Sequence, residues 1–240
     1  MVGNITFKPL SDSALFVVFG DSISTETHEK IQHFFRVLQN APFEGMVEIV
    51  PGYTNICIHY DIARVAKSSF HNSSRSIYAS IVDYLQKLLQ QKDKETVSES
   101  RIVEIPVVYG GEYGPDLEFV ANYHNLTKEE IIKRHTESDC LVYLLGFAPG
   151  FAFMGGLDES IATPRKETPR LAIPAGSVGI AGKQTGAYPF QTPGGWQIIG
   201  RTPQPLFLPN EYPPTYLKAG DRIRFKAISE QEFLQWETKQ

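Results

Sequence analysis

Apolar positions in the first ninety residues follow two periods. Ile5–Leu10 and Ala14–Phe19 are short β-prone runs joined by Ser-Asp-Ser, which predicts a hairpin. Ser24 or Thr25 then caps a predicted helix to about Gln39, with Ile31, Phe34, Phe35 and Leu38 at core-facing spacing. Met46–Val50 and Asn55–Tyr60 flank a Pro-Gly-Tyr-Thr turn, and Thr54, Ile56, Ile58 and Tyr60 alternate with Asn55, Cys57 and His59, the two-residue period of a half-buried strand. A second helix is expected from about Ser74 to Gln90, with Ile77, Ile81, Leu85 and Leu88 on one face. The order ββαββα predicts a small α+β domain over residues 1–92. The solvated run QQKDKETVSESR has a single aliphatic residue, Val97, and marks a linker at 93–101.

The pattern changes after the linker. Ile102–Tyr109 restarts as a strand, GGEYGPD turns into a short helix at Asp116–Tyr123, and Thr127 with Glu130 forms a capping box for a helix to about His135. Cys140–Gly146 returns to strand and Arg222–Ala227 offers a closing one. Between them, residues 145–202 are roughly three in ten Gly or Pro, too many for helix interiors. Short apolar pieces at Leu171–Ile173, Val178–Ile180 and Trp196–Ile199 separate the breakers, so the stretch reads as tightly turned β structure. From Leu171 to Gly200 the only charge is Lys183. Residues 102–240 are therefore expected to form a mostly-β domain, its sheet closed or rolled to hide its edges.

Composition narrows the function. With 42% hydrophobic and 21% charged residues the chain has the make-up of a globular protein, and a net charge of -4 lacks the basic footprint of a nucleic-acid binder. No apolar run approaches the ~20 residues of a membrane span. Without a charged-then-apolar leader, a cytoplasmic location is expected, with Cys57 and Cys140 buried and reduced.

Candidate chemistry is sparse. The run from Gly176 to Thr185 looks like a phosphate loop but has Ser177 where the first glycine belongs and Gln184 where a Mg-binding hydroxyl belongs, and no helix-forming segment follows. Lys183 stays as a possible anion contact. The six histidines and two cysteines show no metal-ligand spacing, so no metal site is expected. No G-x-S-x-G elbow occurs, and Ser177 reads as a turn residue. Arg165 and Arg170 bracket the proline-stiffened loop PRKETPR and either bind an anion or form a solvated loop. Phe147, Phe151, Phe153, Met154, Tyr188, Phe190 and Trp196 either line a groove or fill a core.

The blocks IPVVYGGEYGPDLEFVA, YLLGFAPGFAFMGGLD, TPRKETPRLAIPAGSVGIAGKQTGAYPFQTPGGWQIIGRTP and AGDRIRFKAI span nearly all of Ile105–Ile228 and resemble the family of allophanate hydrolase subunit 1, now largely the 5-oxoprolinase B-type subunit. In length and in its divergent first domain the chain is most like the members that inhibit a sporulation sensor histidine kinase. The resemblance implies a cyclophilin-like β-barrel for the second domain. The pattern Pro149-Gly150-Phe151 followed by Gly155-Gly156 is also similar to cyclophilins. Gly146 stands where their catalytic arginine would be, and Met154 replaces their groove glutamine, which argues against prolyl isomerase chemistry and leaves an apolar groove as the expectation.

The resemblance further implies one component, inactive alone, of an ATP-dependent 5-oxoprolinase that works with a C-type (KipA type) and an A-type partner, with ATP bound somewhere in the complex. Arg165, Arg170, Lys183 and Arg201 would supply cations for phosphoryl transfer. Gln184, Thr185 and Tyr188 would orient polar atoms, and Phe151, Phe153, Met154, Phe190 and Trp196 would line a substrate or partner groove. A second role, holding the dimerisation domain of a sensor histidine kinase, is implied by the same resemblance. A pure inhibitor or scaffold without catalysis is the alternative.

Overall fold

The computed structural model describes residues 5–90 and 101–238. The chain divides into two compact units at residues 98 and 99; the expected linker, apart from Arg101, lies outside the described residues. The fold is mixed α/β, and its larger sheet closes into a seven-stranded barrel.

The first unit contains β1 (Thr6–Ser11), β2 (Ala14–Val18), α1 (Thr25–Asn40), β3 (Met46–Pro51), β4 (Asn55–Tyr60), α2 (Ile62–Lys67) and α3 (Ile77–Gln90). Its antiparallel sheet has the order β1-β2-β4-β3. The register sets Leu15 opposite Ile58 and Val17 opposite Ile56. That row packs on Ile31, Phe34 and Leu38 of α1 and on Ile81, Leu85 and Leu88 of α3, each burial stabilising by about 1.5–3 kcal/mol. Ser24 caps α1, accepting from the Thr27 amide at 3.1 Å.

Three details depart from the sequence reading. Asp61 accepts from the Arg64 amide and starts the unexpected short helix α2. Helix α3 begins at Ile77 rather than Ser74, the Ala79 amide donating to the Ser76 hydroxyl. Cys57 is only half-buried, because the odd positions of β4 turn away from the helices; Cys140 is buried, and both thiols are free.

The second unit contains β5 (Ile102–Tyr109), α4 (Leu117–His124), α5 (Lys128–Glu137), β6 (Cys140–Leu145), β7 (Ala152–Gly155), β8 (Arg170–Ile173), β9 (Ser177–Ala181), β10 (Gln184–Ala187), β11 (Thr192–Gly194), β12 (Gln197–Arg201), β13 (Arg222–Ala227) and α6 (Glu230–Glu237). Barrel order is β10-β7-β6-β13-β5-β12-β9, with β9 returning to β10. The β13–β5 pair is parallel. Alternation sorts the side chains into two layers. Ile105, Val107, Val142, Met154, Val178, Ile180, Ile199, Ile223 and Phe225 join the main core, whereas Phe153, Ala181, Trp196 and Ile198 face the other way into a separate cluster. The Thr127–Glu130 capping box forms as expected. Helix α6, which the sequence reading missed, opens on the same device, Ser229 with Glu232. Where the chain enters this unit, Arg101 donates to the fully buried Asp221 carboxylate at 3.0 and 2.6 Å.

One polar chain crosses the core. The Thr185 hydroxyl donates to the Gly179 carbonyl at 3.0 Å, so at its 2.8 Å contact with His135 Nε2 it accepts. His135 Nδ1 is thereby the acceptor for the Tyr109 phenol at 2.8 Å. This arrangement needs a neutral ring, and burial lowers the His135 pKa to about 3. A histidine whose folded pKa lies below its ordinary 6.5 contributes its full stability above pH 6.5 and loses it as pH falls toward about 3. Urea midpoints measured from pH 8 to pH 4 should therefore fall in acid, each such histidine contributing up to about 1.4 kcal/mol per pH unit. His135→Gln should be less stable near neutrality by about 1–3 kcal/mol yet show a shallower acid dependence. His28, lowered to about 4 by burial, adds its own slope in the first unit.

Candidate functional site

The outward cluster contains Phe151, Ile173, Ala181, Tyr188, Trp196 and Ile198, with Ala148 and Phe153 packed against it. Phe151 meets Tyr188 and Trp196 edge-on at centroid distances of 5.2 and 5.5 Å. The ribbon of β8 and β11, separate from the barrel, contributes Ile173. Phe147, in the left-handed region at φ 65°, stays exposed against Phe151. The expected groove is thus a closed aromatic core: Phe151, Tyr188 and Trp196 are all buried, and Met154 lies inside the barrel because it alternates with Phe153. Phe190 is half-buried and pairs with Phe207.

The charged groups around this cluster are organised by a residue that the sequence reading placed only at a helix start. The turn Gly110–Asp116 lies along β12: the Gly110 amide donates to the Ile199 carbonyl and the Asp116 amide to the Ile198 carbonyl, at 3.0 and 2.8 Å. Gly114 makes the approach possible, since a Cβ there would sit 2.0 Å from the Ile199 carbonyl oxygen. Asp116, 5% exposed, accepts from both terminal nitrogens of Arg170 at 2.8 and 2.7 Å, from Lys166 Nζ at 3.3 Å and from the Ile198 amide at 2.7 Å. Burial pushes this carboxyl upward, but the Arg170 guanidinium, the Ile198 amide and Lys166 together outweigh it and hold it below its ordinary value.

The four arginine and lysine candidates are not brought together. Arg170 is held by Asp116. Lys183 sits with Gly182 in the two-residue hairpin between β9 and β10, paired with Glu159 at the surface, so the resemblance to a phosphate loop ends in a β-turn. Arg201 donates to the Ala175 carbonyl at 2.8 Å and covers the Phe233 ring of α6. Arg165 is exposed, its guanidinium carbon 6.0 Å from the centroid of Trp196. Thr185 is a core residue spent on His135 and Gly179, while its half-buried neighbour Gln184 takes the opposite side of β10. Tyr188 is pushed up to about 12 by burial, against the pull of Arg165, the Trp196 amide and Arg170.

The loop carrying Arg165 is fixed at both sides. The Pro164 carbonyl accepts from Gln197 Nε2 at 3.0 Å, and the Lys166 amide donates to the Gly195 carbonyl at 2.7 Å. Among the described residues no group of three or more His, Cys, Asp or Glu side chains is arranged to hold a metal, and no helix is long and apolar enough to cross a membrane.

This architecture matches a known class. Residues 5–217 fit the family described as "Carboxyltransferase domain, subdomain C and D". The chain is 46% identical to the B-type subunit of 5-oxoprolinase from Bacillus subtilis (strain 168) over 94% of both chains. It is 38% identical to the protein of the same name from Escherichia coli O157:H7 over 90% of this chain and 93% of the other. Among solved structures, TTHA0988 is similar with a TM-score of 0.75 and 32% identity over 90% of this chain, which spans only 40% of that longer chain. The protein belongs to the carboxyltransferase subdomain C and D family and, within it, to the group of 5-oxoprolinase B-type subunits.

Removing Asp116 should unlock the loop. We expect Asp116→Ala to cost the barrel unit about 2–3 kcal/mol, discounted from a fully buried pair because Lys166 and Arg170 are partly solvated. Gly114→Ala should cost about 1–3 kcal/mol by forcing the turn off β12. Shifts in urea midpoint measure both. Asp116→Ala combined with Arg170→Met should cost less than the sum of the two single changes, since no charge is then stranded.

Proposed function

We propose that this chain is the B-type subunit of an ATP-dependent 5-oxoprolinase, acting with the A-type and C-type partners to convert 5-oxoproline, ATP and water into glutamate, ADP and phosphate. The observation that carries this reading is the length-for-length similarity to proteins so named in two bacteria. An unstrained lactam is a poor electrophile; transferring the γ-phosphoryl group of ATP to its oxygen, with ADP leaving, activates the ring carbon. Water adds there, the carbon–nitrogen bond breaks to give the γ-acyl phosphate, and a second water releases phosphate and glutamate. Such a transfer needs positioned cations more than a nucleophilic side chain. The loop at 164–170 beside the aromatic cluster fits the positioning of the lactam, with the cations around the transferred phosphoryl group drawn from a second polypeptide. The barrel is read as cyclophilin-like and the unit before it as a separate small domain. Kinase binding gains less support, because Phe151, Tyr188 and Trp196 are buried and leave no apolar groove there to receive a partner.

Purified chain mixed with its A-type and C-type partners should release glutamate and phosphate from 5-oxoproline and ATP in equal amounts. A complex of those two partners that is equally active without the chain overturns the reading.

A further inference from the structure

Among the described residues three cations lie on the loop and strand beside the aromatic cluster, Arg165, Lys166 and Arg170, and two of them are committed to one carboxylate. Lys166 and Arg170 share the buried Asp116 carboxylate. An incoming anion that took either of them would remove part of that carboxylate's compensation, and weakening the pairing of a buried charge costs more than an exposed ion pair returns. Among the described residues no carboxylate pairs with Arg165. Its backbone is nevertheless held on both sides, through the Pro164 carbonyl and the Lys166 amide, between Pro164 and Pro169. The guanidinium lies over the Trp196 indole, a flat wall that limits its approach directions. A planar fork presented on a fixed loop, without an internal counter-ion, is prepared for two-point contact with an external anion.

We infer that Arg165 binds the carboxylate of a small cyclic amide acid, the lactam substrate itself, and so sets the preference for 5-oxoproline over lactams lacking that group. This rests on the 5-oxoprolinase reading above. A carboxylate suits the site better than a nucleotide's phosphate chain. One exposed cation matches one carboxylate charge, whereas a triphosphate calls for several cations and a cradle of backbone amides. The Gly182–Lys183 turn, the other candidate for such a cradle, closes a hairpin and pairs its lysine with Glu159.

The test uses the complete complex with the wild-type chain, Arg165→Gln or Arg165→Lys. For each, kcat/KM is measured for 5-oxoproline and for pyrrolidin-2-one, the same lactam without its carboxylate, which also serves as a competing ligand if its turnover is slow. The KM for ATP and the assembly of the complex by titration complete the set. The loss of a charge-assisted hydrogen bond predicts that Arg165→Gln lowers the preference for 5-oxoproline about tenfold or more, with Arg165→Lys recovering part of it. An equal effect on both lactams, or none, overturns the inference. So does a rise confined to the KM for ATP, which assigns Arg165 to phosphate, and so does failed assembly, which assigns it to an acidic residue of another polypeptide in the complex. Undiminished turnover by the A-type and C-type partners with no form of this chain present would refute the 5-oxoprolinase reading instead, and the two failures are thus distinguishable.

Discussion

The buried carboxylate of Asp116 is the point on which the candidate site depends. It faces a guanidinium, an ammonium and a backbone amide, and these belong to β8, the 164–170 loop and β12. Counting its own turn, a single buried anion therefore ties together three stretches distant in sequence: residues 110–116, 166–170 and β12. A carboxylate satisfied in this way stays ionised at neutral pH, whereas the same group without its partners would cost several kcal/mol to bury. The loop and the carboxylate hold each other in place, and neither is interpretable alone.

That constraint decides which charges are spent on structure. Arg170 and Lys166 look like binding residues by composition and position, yet both are committed to Asp116. The backbone on either side of their neighbour Arg165 is held by Gln197 and Gly195, while its head group lies over Trp196 with no carboxylate partner among the described residues. The aromatic cluster behaves similarly: Phe151, Tyr188 and Trp196 are closed against one another, so they act as a rigid wall behind the loop rather than as an apolar slot.

Local signals carried much of the fold. The alternation in Asn55–Tyr60 and the Thr127–Glu130 box needed no tertiary information, and both elements form as read. Helix α6 opens on an equally plain Ser229–Glu232 box, but it buries Phe233 while Leu234 and Trp236 stay exposed, so no apolar period marks it. The site was less legible, for a physical reason. Asp116 and Arg170 lie 54 residues apart, and His135 and Thr185 lie 50 apart; no period or spacing rule links such pairs. Thr185 shows no sign of being a core hydroxyl, because its role on strand β10 depends on a histidine from helix α5. The inward and outward assignment of Phe153, Met154 and Thr185 likewise depends on barrel register, which turn residues alone do not set.

The magnitudes also bear on what a ligand at Arg165 requires. A charge-assisted hydrogen bond contributes about 1.5–3 kcal/mol, whereas even a millimolar Kd requires about 4 kcal/mol. Arg165 on its pinned loop therefore discriminates between ligands more strongly than it retains them. Retention needs burial of the ligand's remaining surface and exclusion of water, and the closed face of Phe151, Tyr188 and Trp196 supplies only one wall for that. The other wall must come from another polypeptide or from a rearrangement of the exposed Phe147 and the β8–β11 ribbon. Of the two, a covering polypeptide agrees better with a loop tied down at Asp116, Gln197 and Gly195, because each tie would resist the movement that a self-made lid requires.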